Sequence, residues 1–257
     1  MQQHLDSHIK PLMEQFPALG GILDEAGIGC TSCSLGTCRV QDILEIHDLD
    51  TEQTQTLLGK MGAVIFGDRP FHLPPIQRKV AAPKAAFCPP IQRMVVEHTF
   101  ILRVIALVPG LVEALRQDFA KGRPLADRVL EFIRTYADRY HHAKEEDILF
   151  KLFDQGSDIL QVMLRDHQDG RAHVGAAAAA LNIEDLEAIA HHLHAYGELL
   201  KSHIQREDTI LYPWMDRTLS DHHVGQLFSQ CMAVERQFGT IPAEQEKAVQ
   251  AMELALL

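Results

Sequence analysis

The spacing of apolar positions divides the chain into two helical regions with an unpatterned segment between them. From residue 91 onward apolar residues recur in steps of three and four, the mark of helices that each bury one stripe. No stretch alternates apolar and polar residues as a half-buried strand does. Four long helical patterns are separated by KGRP (121–124), DQGSD (154–158) and LNIED (181–185). Connections this short join antiparallel neighbours, so the expected class is all-α, an antiparallel four-helix bundle. Ahead of it, short helices are expected over 11–23, 40–47 and 50–65, the last capped by Asp50, around the loop GIGCTSCSLGTC. Six of the twelve prolines fall within residues 67–90. The expected organisation is therefore a small helical cysteine-containing module at 1–66, a Pro-rich linker at 67–90, and the bundle with a C-terminal extension at 91–257.

Following each seam exposes polar residues where apolar ones belong. The fourth helix reads Leu186, Ile189, Leu193, Tyr196, Leu200, His203, Glu207, Ile210, Trp214, and the third reads Leu160, Met163, His167, Gly170, Val174, Ala177, Leu181. On the first, His98 sits among Ile91, Val95, Leu102 and Ile105 before Pro109 interrupts the pattern. The second carries Val129, Phe132, Ile133, Tyr136 and Tyr140, with His142, Glu146, Leu149 and Phe153 along one edge. An ionisable pair on a buried stripe costs several kcal/mol unless something compensates it. A single seam histidine is ordinarily a core residue satisfied by a hydrogen bond. Four on four helices, with His-x-x-x-Glu twice, point instead to a shared metal site, because residues one helical turn apart lie on one face. Four imidazoles and two carboxylates suit iron, manganese or zinc, and two carboxylates between clusters of histidine indicate a pair of ions with open positions for a small ligand.

Composition narrows the partners. The 257 residues include 24 Lys and Arg against 35 Asp and Glu, a formal charge of −11, which argues against nucleic acid and anionic membranes as partners. The start carries neither a basic nor an apolar leader segment, and no apolar run nears the roughly 20 residues of a membrane span, so a cytoplasmic location is expected. Fifteen histidines accompany five cysteines. An odd number of cysteines without export signals suits redox or metal chemistry better than a disulfide framework.

EH at 97–98, HHAKEEDILF at 141–150, DHQDGR at 166–171 and HIQREDTILYP at 203–213 resemble the four helix signatures of the hemerythrin-like HHE cation-binding domain. The resemblance implies a non-haem di-iron centre, oxo- or hydroxo-bridged, with ligands His98, His142, Glu146, His167, His203 and Glu207 and the glutamates bridging. A four-His, two-Glu set is similar to the iron–sulfur cluster repair (repair of iron centres) proteins, whereas oxygen-carrying hemerythrins use five His. EAGIGCTSCSLGTC resembles the small cysteine-bearing domain of those repair proteins. Its Cys30, Cys33 and Cys38 are not adjacent as they typically are there, so a related module of unassigned function fits equally well. The resemblance implies nitric oxide or oxygen stress as the task, with O2, NO or peroxide as ligands and an iron–sulfur protein as client. A reversible O2 or NO sensor, and an oxidase or peroxidase drawing electrons from the thiols, are the alternatives. Cys30, Cys33 and Cys38 are candidate redox thiols or metal ligands. Asp166 and Arg171 are candidates to support the ligands, and Tyr140, Tyr196 and Tyr212 to donate hydrogen bonds near a bound oxygen species, although packing is the simpler role for the tyrosines.

Overall fold

The computed structural model describes residues 1–28, 38–47, 49–75 and 87–256. The chain forms two compact units, residues 1–85 with 213–218, and residues 86–212 with 219–257. Among the described residues every regular element is a helix.

In the first unit, α1 (Ile9–Gln15), α2 (Ala18–Glu25), α3 (Val40–Ile46) and α4 (Thr51–Phe66) surround a core that includes Ile9, Leu19, Leu23, Ile43, Leu44, Leu58 and Met61. The helix expected over 11–23 is two, broken at Phe16 and Pro17, because proline cannot donate into the preceding turn. Asp50 does cap α4: its side chain accepts from Gln53 N at 2.7 Å, and Gln53 Oε1 accepts from Asp50 N at 2.9 Å, a reciprocal capping box. Cys38 is half-buried against this core. Cys30, Cys33 and residues 76–86 of the expected linker lie outside the described residues.

The second unit begins with α5 (Pro89–Ala106) and α6 (Val108–Gln117), which break at Leu107, with Pro109 in the first turn of α6. A stretch of 18 residues within 89–117 reaches a mean hydropathy of 1.8, apolar enough by composition for a membrane span, contrary to the expectation of no such run. In the bundle, the face bearing Ile91, Met94, His98, Ile101 and Ile105 is buried. A second departure concerns KGRP, which lies inside α7 (Phe119–Phe132) and not between helices. The chain turns earlier, at Asp118, whose side chain accepts from Lys121 N at 3.2 Å. Gly122 serves packing instead: a Cβ there would stand 3.0 Å from the Leu115 backbone nitrogen.

Beyond α7 the helix widens into π-helix at Ile133–His142 and again at Glu145–Leu149. After α8 (Asp158–Asn182), α9 (Leu186–Arg206) also passes into π-helix, at Glu207–Leu211; α10 (Tyr212–Thr218) follows, and its residues 213–218 belong to the first unit. α11 (Asp221–Phe238) and α12 (Ile241–Leu254) complete the second unit, whose apolar core gathers residues from α5 to α9 and from α12. π-turns close i→i+5 hydrogen bonds and gather at functional sites. All three π-helical segments here include polar seam positions: His142, Glu146 and Glu207.

Candidate metal centre

α5, the π-helical segments after α7, α8 and α9 each bring acid and imidazole groups into the interior. Two sets of ligand atoms lie within 4.8 Å of one another: His142, Glu145, His167 and His203, and His98, His141, Glu145 and Glu207. Every one of these side chains is buried. The Nε2 atoms of His98 and His203 stand 3.2 Å from the two oxygens of Glu207, one on each. Glu145 Oε2 lies 3.4 Å from His167 Nε2 and 3.7 Å from His141 Nε2. Each glutamate therefore touches histidines of both sets.

The structure brings together five of the six side chains expected as ligands, His98, His142, His167, His203 and Glu207, and leaves out Glu146. That glutamate is half-buried and accepts from His167 Nδ1 at 2.7 Å and from Arg171 at 2.6 Å. Its place inside is held by Glu145, and His141, which α-helical spacing puts off the seam, joins as a fifth imidazole. The π-helix is the physical reason. A wider turn advances each residue through a smaller angle, so His141 and His142 share the inner face, and with His141 inside its own i,i+4 partner Glu145 becomes the inward carboxylate. After Glu207 the wider turn moves the buried position forward by one residue, to Leu211 where Ile210 is expected. The adjacent HH in HHAKEE was the available signal.

Behind the imidazoles stands a ring of carboxylates. His98 Nδ1 donates to Asp208 at 2.7 Å, His141 Nδ1 to Glu97 at 2.8 Å, and His203 Nδ1 to Asp166 at 3.1 Å; Asp138 lies 3.8 Å from His142 Nδ1. With His167 and Glu146, all five histidines have an acid on the Nδ1 side. In the four that make this hydrogen bond, the neutral ring would keep its proton on Nδ1 and turn a bare Nε2 toward the centre, the arrangement that orients metal-binding histidines. Three cations hold the acids in turn: Arg171 pairs with Asp138 and Glu146, Arg206 with Asp166 at 2.5 Å, and the buried Lys144 with Glu97. Asp166 and Arg171 are thus in this outer ring. Tyr212 stacks on His98 and donates to Glu145; Tyr140 lies under the Lys144 ammonium at 3.7 Å; the Tyr196 hydroxyl has no hydrogen bond among the described residues.

Electrostatics set the protonation states of the metal-free site. Burial alone would lower His98 and His203, but for His98 the Asp208 hydrogen bond and Glu207, and for His203 the Glu207 charge and the Asp166 hydrogen bond, raise them to about 9 and about 10. Glu207 is held well below the usual carboxylate range by the same two imidazoles, against its burial. Burial beside Glu207 pushes Glu145 well above it. His142 falls to about 3 through burial and the neighbouring His167.

The donor set passes a direct test of fit for metal. His98 Nε2, His141 Nε2, Glu145 Oε2 and both oxygens of Glu207 are buried and make no aligned hydrogen bond among the described residues, meeting imidazole and carboxylate atoms of the cluster only as ion pairs at 3.2–3.7 Å. A buried polar atom left without a hydrogen bond costs about 1–3 kcal/mol if nothing else binds it. All five belong to the set of His98, His141, Glu145 and Glu207, which shares Glu145 with the other set, and a cation would satisfy them. Among the described residues Cys38 joins no such group. Cys231 is buried and its thiol is pushed up to about 11, so it is inert packing.

A helical bundle with an internal imidazole and carboxylate cluster defines a metal-binding domain. Residues 89–215 match the family model described as the hemerythrin HHE cation binding domain, and this part of the chain is a hemerythrin HHE cation-binding domain. Three uncharacterized proteins, one from Mycobacterium bovis and two from strains of Mycobacterium tuberculosis, are each 26% identical to it over 133 residues, 48% of this chain and 52% of theirs. The chain thus spans about half the length of the curated relatives it matches. No solved structure matches the chain.

Proposed function

We propose that the centre holds two iron ions and binds a small oxygen- or nitrogen-centred ligand, O2, NO or peroxide, as part of a response to oxygen or nitric oxide stress. The observation that carries this is the convergence of buried ligand atoms in two sets that share Glu145, with Glu207 reaching a histidine of each. Charge supports it. The carboxylates of Glu97, Asp138, Glu145, Glu146, Asp166, Glu207 and Asp208 against Lys144, Arg171 and Arg206 leave four negative charges once the histidines are neutral, matching two divalent cations. His142, His167 and His203 would hold one ion and His98 and His141 the other, with both glutamates spanning the pair. Bound iron supplies redox chemistry and open coordination positions. The chain's own groups hold the imidazoles in one tautomer, balance charge and exclude bulk water. The repair-protein reading rests on a four-His set and on the cysteine loop, whose Cys30 and Cys33 lie outside the described residues; the fifth imidazole favours ligand binding over iron delivery.

Metal analysis of protein reconstituted with Fe(II) is expected to find close to two irons per chain, with near-ultraviolet absorption after oxidation. Zinc alone, or no metal, would sink the proposal. Anaerobic optical titration of the reduced protein with O2 and NO then separates uses: a reversible oxygen-bound spectrum indicates a sensor, and peroxide consumption with thiol as reductant indicates turnover.

A further inference from the structure

A second group of histidines stands apart from the internal centre, on the outside of the α8–α9 pair. His173 of α8 lies six residues beyond His167, about 9 Å along the helix axis. It is half-buried, as is His192 of α9, while His191 is exposed. Across the two helices the Nδ1 atoms of His173 and His192 are 3.1 Å apart. The His191 ring centroid is 4.9 Å from that of His192 and 6.5 Å from that of His173. Two imidazole nitrogens bound to one tetrahedral zinc ion, each at about 2.0–2.1 Å, stand about 3.3 Å from each other. The His173–His192 spacing is therefore close to that of a chelating pair, set in advance by two packed helices. Without metal, one ring donates its Nδ1–H to the bare Nδ1 of the other. Moving that proton to Nε2 of the same ring frees both Nδ1 atoms for a cation with no change of charge. Burial and the two neighbouring histidines lower the His173 pKa, against the nearby Asp169, which keeps the ring neutral as a ligand must be.

We propose that His173, His192 and His191 form a second, solvent-facing metal site that takes one imidazole-seeking divalent cation of the zinc class and ties α8 to α9. His173 and His192 chelate the ion, and the exposed His191 turns its ring in as the third ligand. Water fills the remaining position. Asp169, exposed one turn before His173 on the same face of α8, adds negative charge beside the ion. An all-imidazole set selects zinc or copper over magnesium and calcium, which prefer oxygen. The site shares no residue with the internal centre and does not depend on what that centre binds.

The test titrates full-length protein with Zn(II) against a calibrated indicator, and compares zinc per chain and affinity between wild type and variants. His173→Gln and His192→Gln are each expected to bind one zinc fewer per chain than wild type, whatever metal the internal centre holds. His191→Gln should keep that zinc and weaken it about tenfold. His222→Gln with His223→Gln, a histidine pair on α11 with ring centroids 6.0 Å apart, serves as the control and should change nothing. Equal zinc stoichiometry in wild type, His173→Gln and His192→Gln would overturn the proposal. So would a loss as large in the α11 control, which would mark zinc uptake as a property of any exposed histidine pair. Should either half-buried substitution unfold the chain, the exposed His191→Gln decides: weaker zinc supports the site and unchanged affinity overturns it.

Discussion

Glu145 and Glu146 are chain neighbours with opposite surroundings. Glu145 lies fully inside between two sets of imidazoles, whereas Glu146 reaches Arg171 near the surface. Glu145→Ala is therefore expected to reduce iron content from two per chain to below one, while Glu146→Gln should keep the ions and weaken their affinity about 10–100-fold by loosening His167; competition with a calibrated chelator reads both. His141→Ala should cost one ion, and full retention of two would remove it from the ligand set. A pH effect follows from the raised histidines. His98 and His203 have folded pKa values of about 9 and about 10 against 6.5 for an unperturbed histidine. Their stabilising contribution in metal-free protein is complete below 6.5 and is lost as pH rises through 9 and 10. Thermal melts of metal-free protein should shift downward over that window. Iron-loaded protein, in which these imidazoles are already neutral, should lack that shift.

At the scale of elements, the π-helical segments decide which side chains meet. Periodicity in steps of three and four located α8 well: Leu160, Met163, His167, Gly170, Val174, Ala177 and Leu181 are all buried as its pattern requires. It located α9 equally well as far as His203 and Glu207. Past each π-turn the pattern slips by one residue, because an i→i+5 turn is a choice between nearly equivalent backbone hydrogen bonds that side-chain spacing does not announce. Deleting exposed Arg139 should return the Ile133–His142 segment toward α-helical spacing. Far-ultraviolet circular dichroism is expected to change little and iron content to fall below one per chain. Retained iron would show that the π-turn does not set the ligand geometry.

For the whole molecule, the two units predict two kinds of thermal behaviour. The proposed iron site lies within the second unit, so a free metal concentration about 100-fold above its dissociation constant should add about 2.7 kcal/mol per site to that unit alone. Calorimetry with and without chelator should therefore move one transition and leave the other in place; a joint shift would show that the units unfold as one. The amino-acid sequence by itself determined the all-α class, the Asp50 cap, the stripe of α8, and the placing of His98, His167, His203 and Glu207 on buried faces, because these depend on helical periodicity and local hydrogen bonding. Tertiary packing decided the choice of Glu145 over Glu146, the inclusion of His141, and the acid behind each imidazole. Those depend on the winding of helices pressed against one another and on partners as distant in the chain as His98 and Asp208, which no local pattern records.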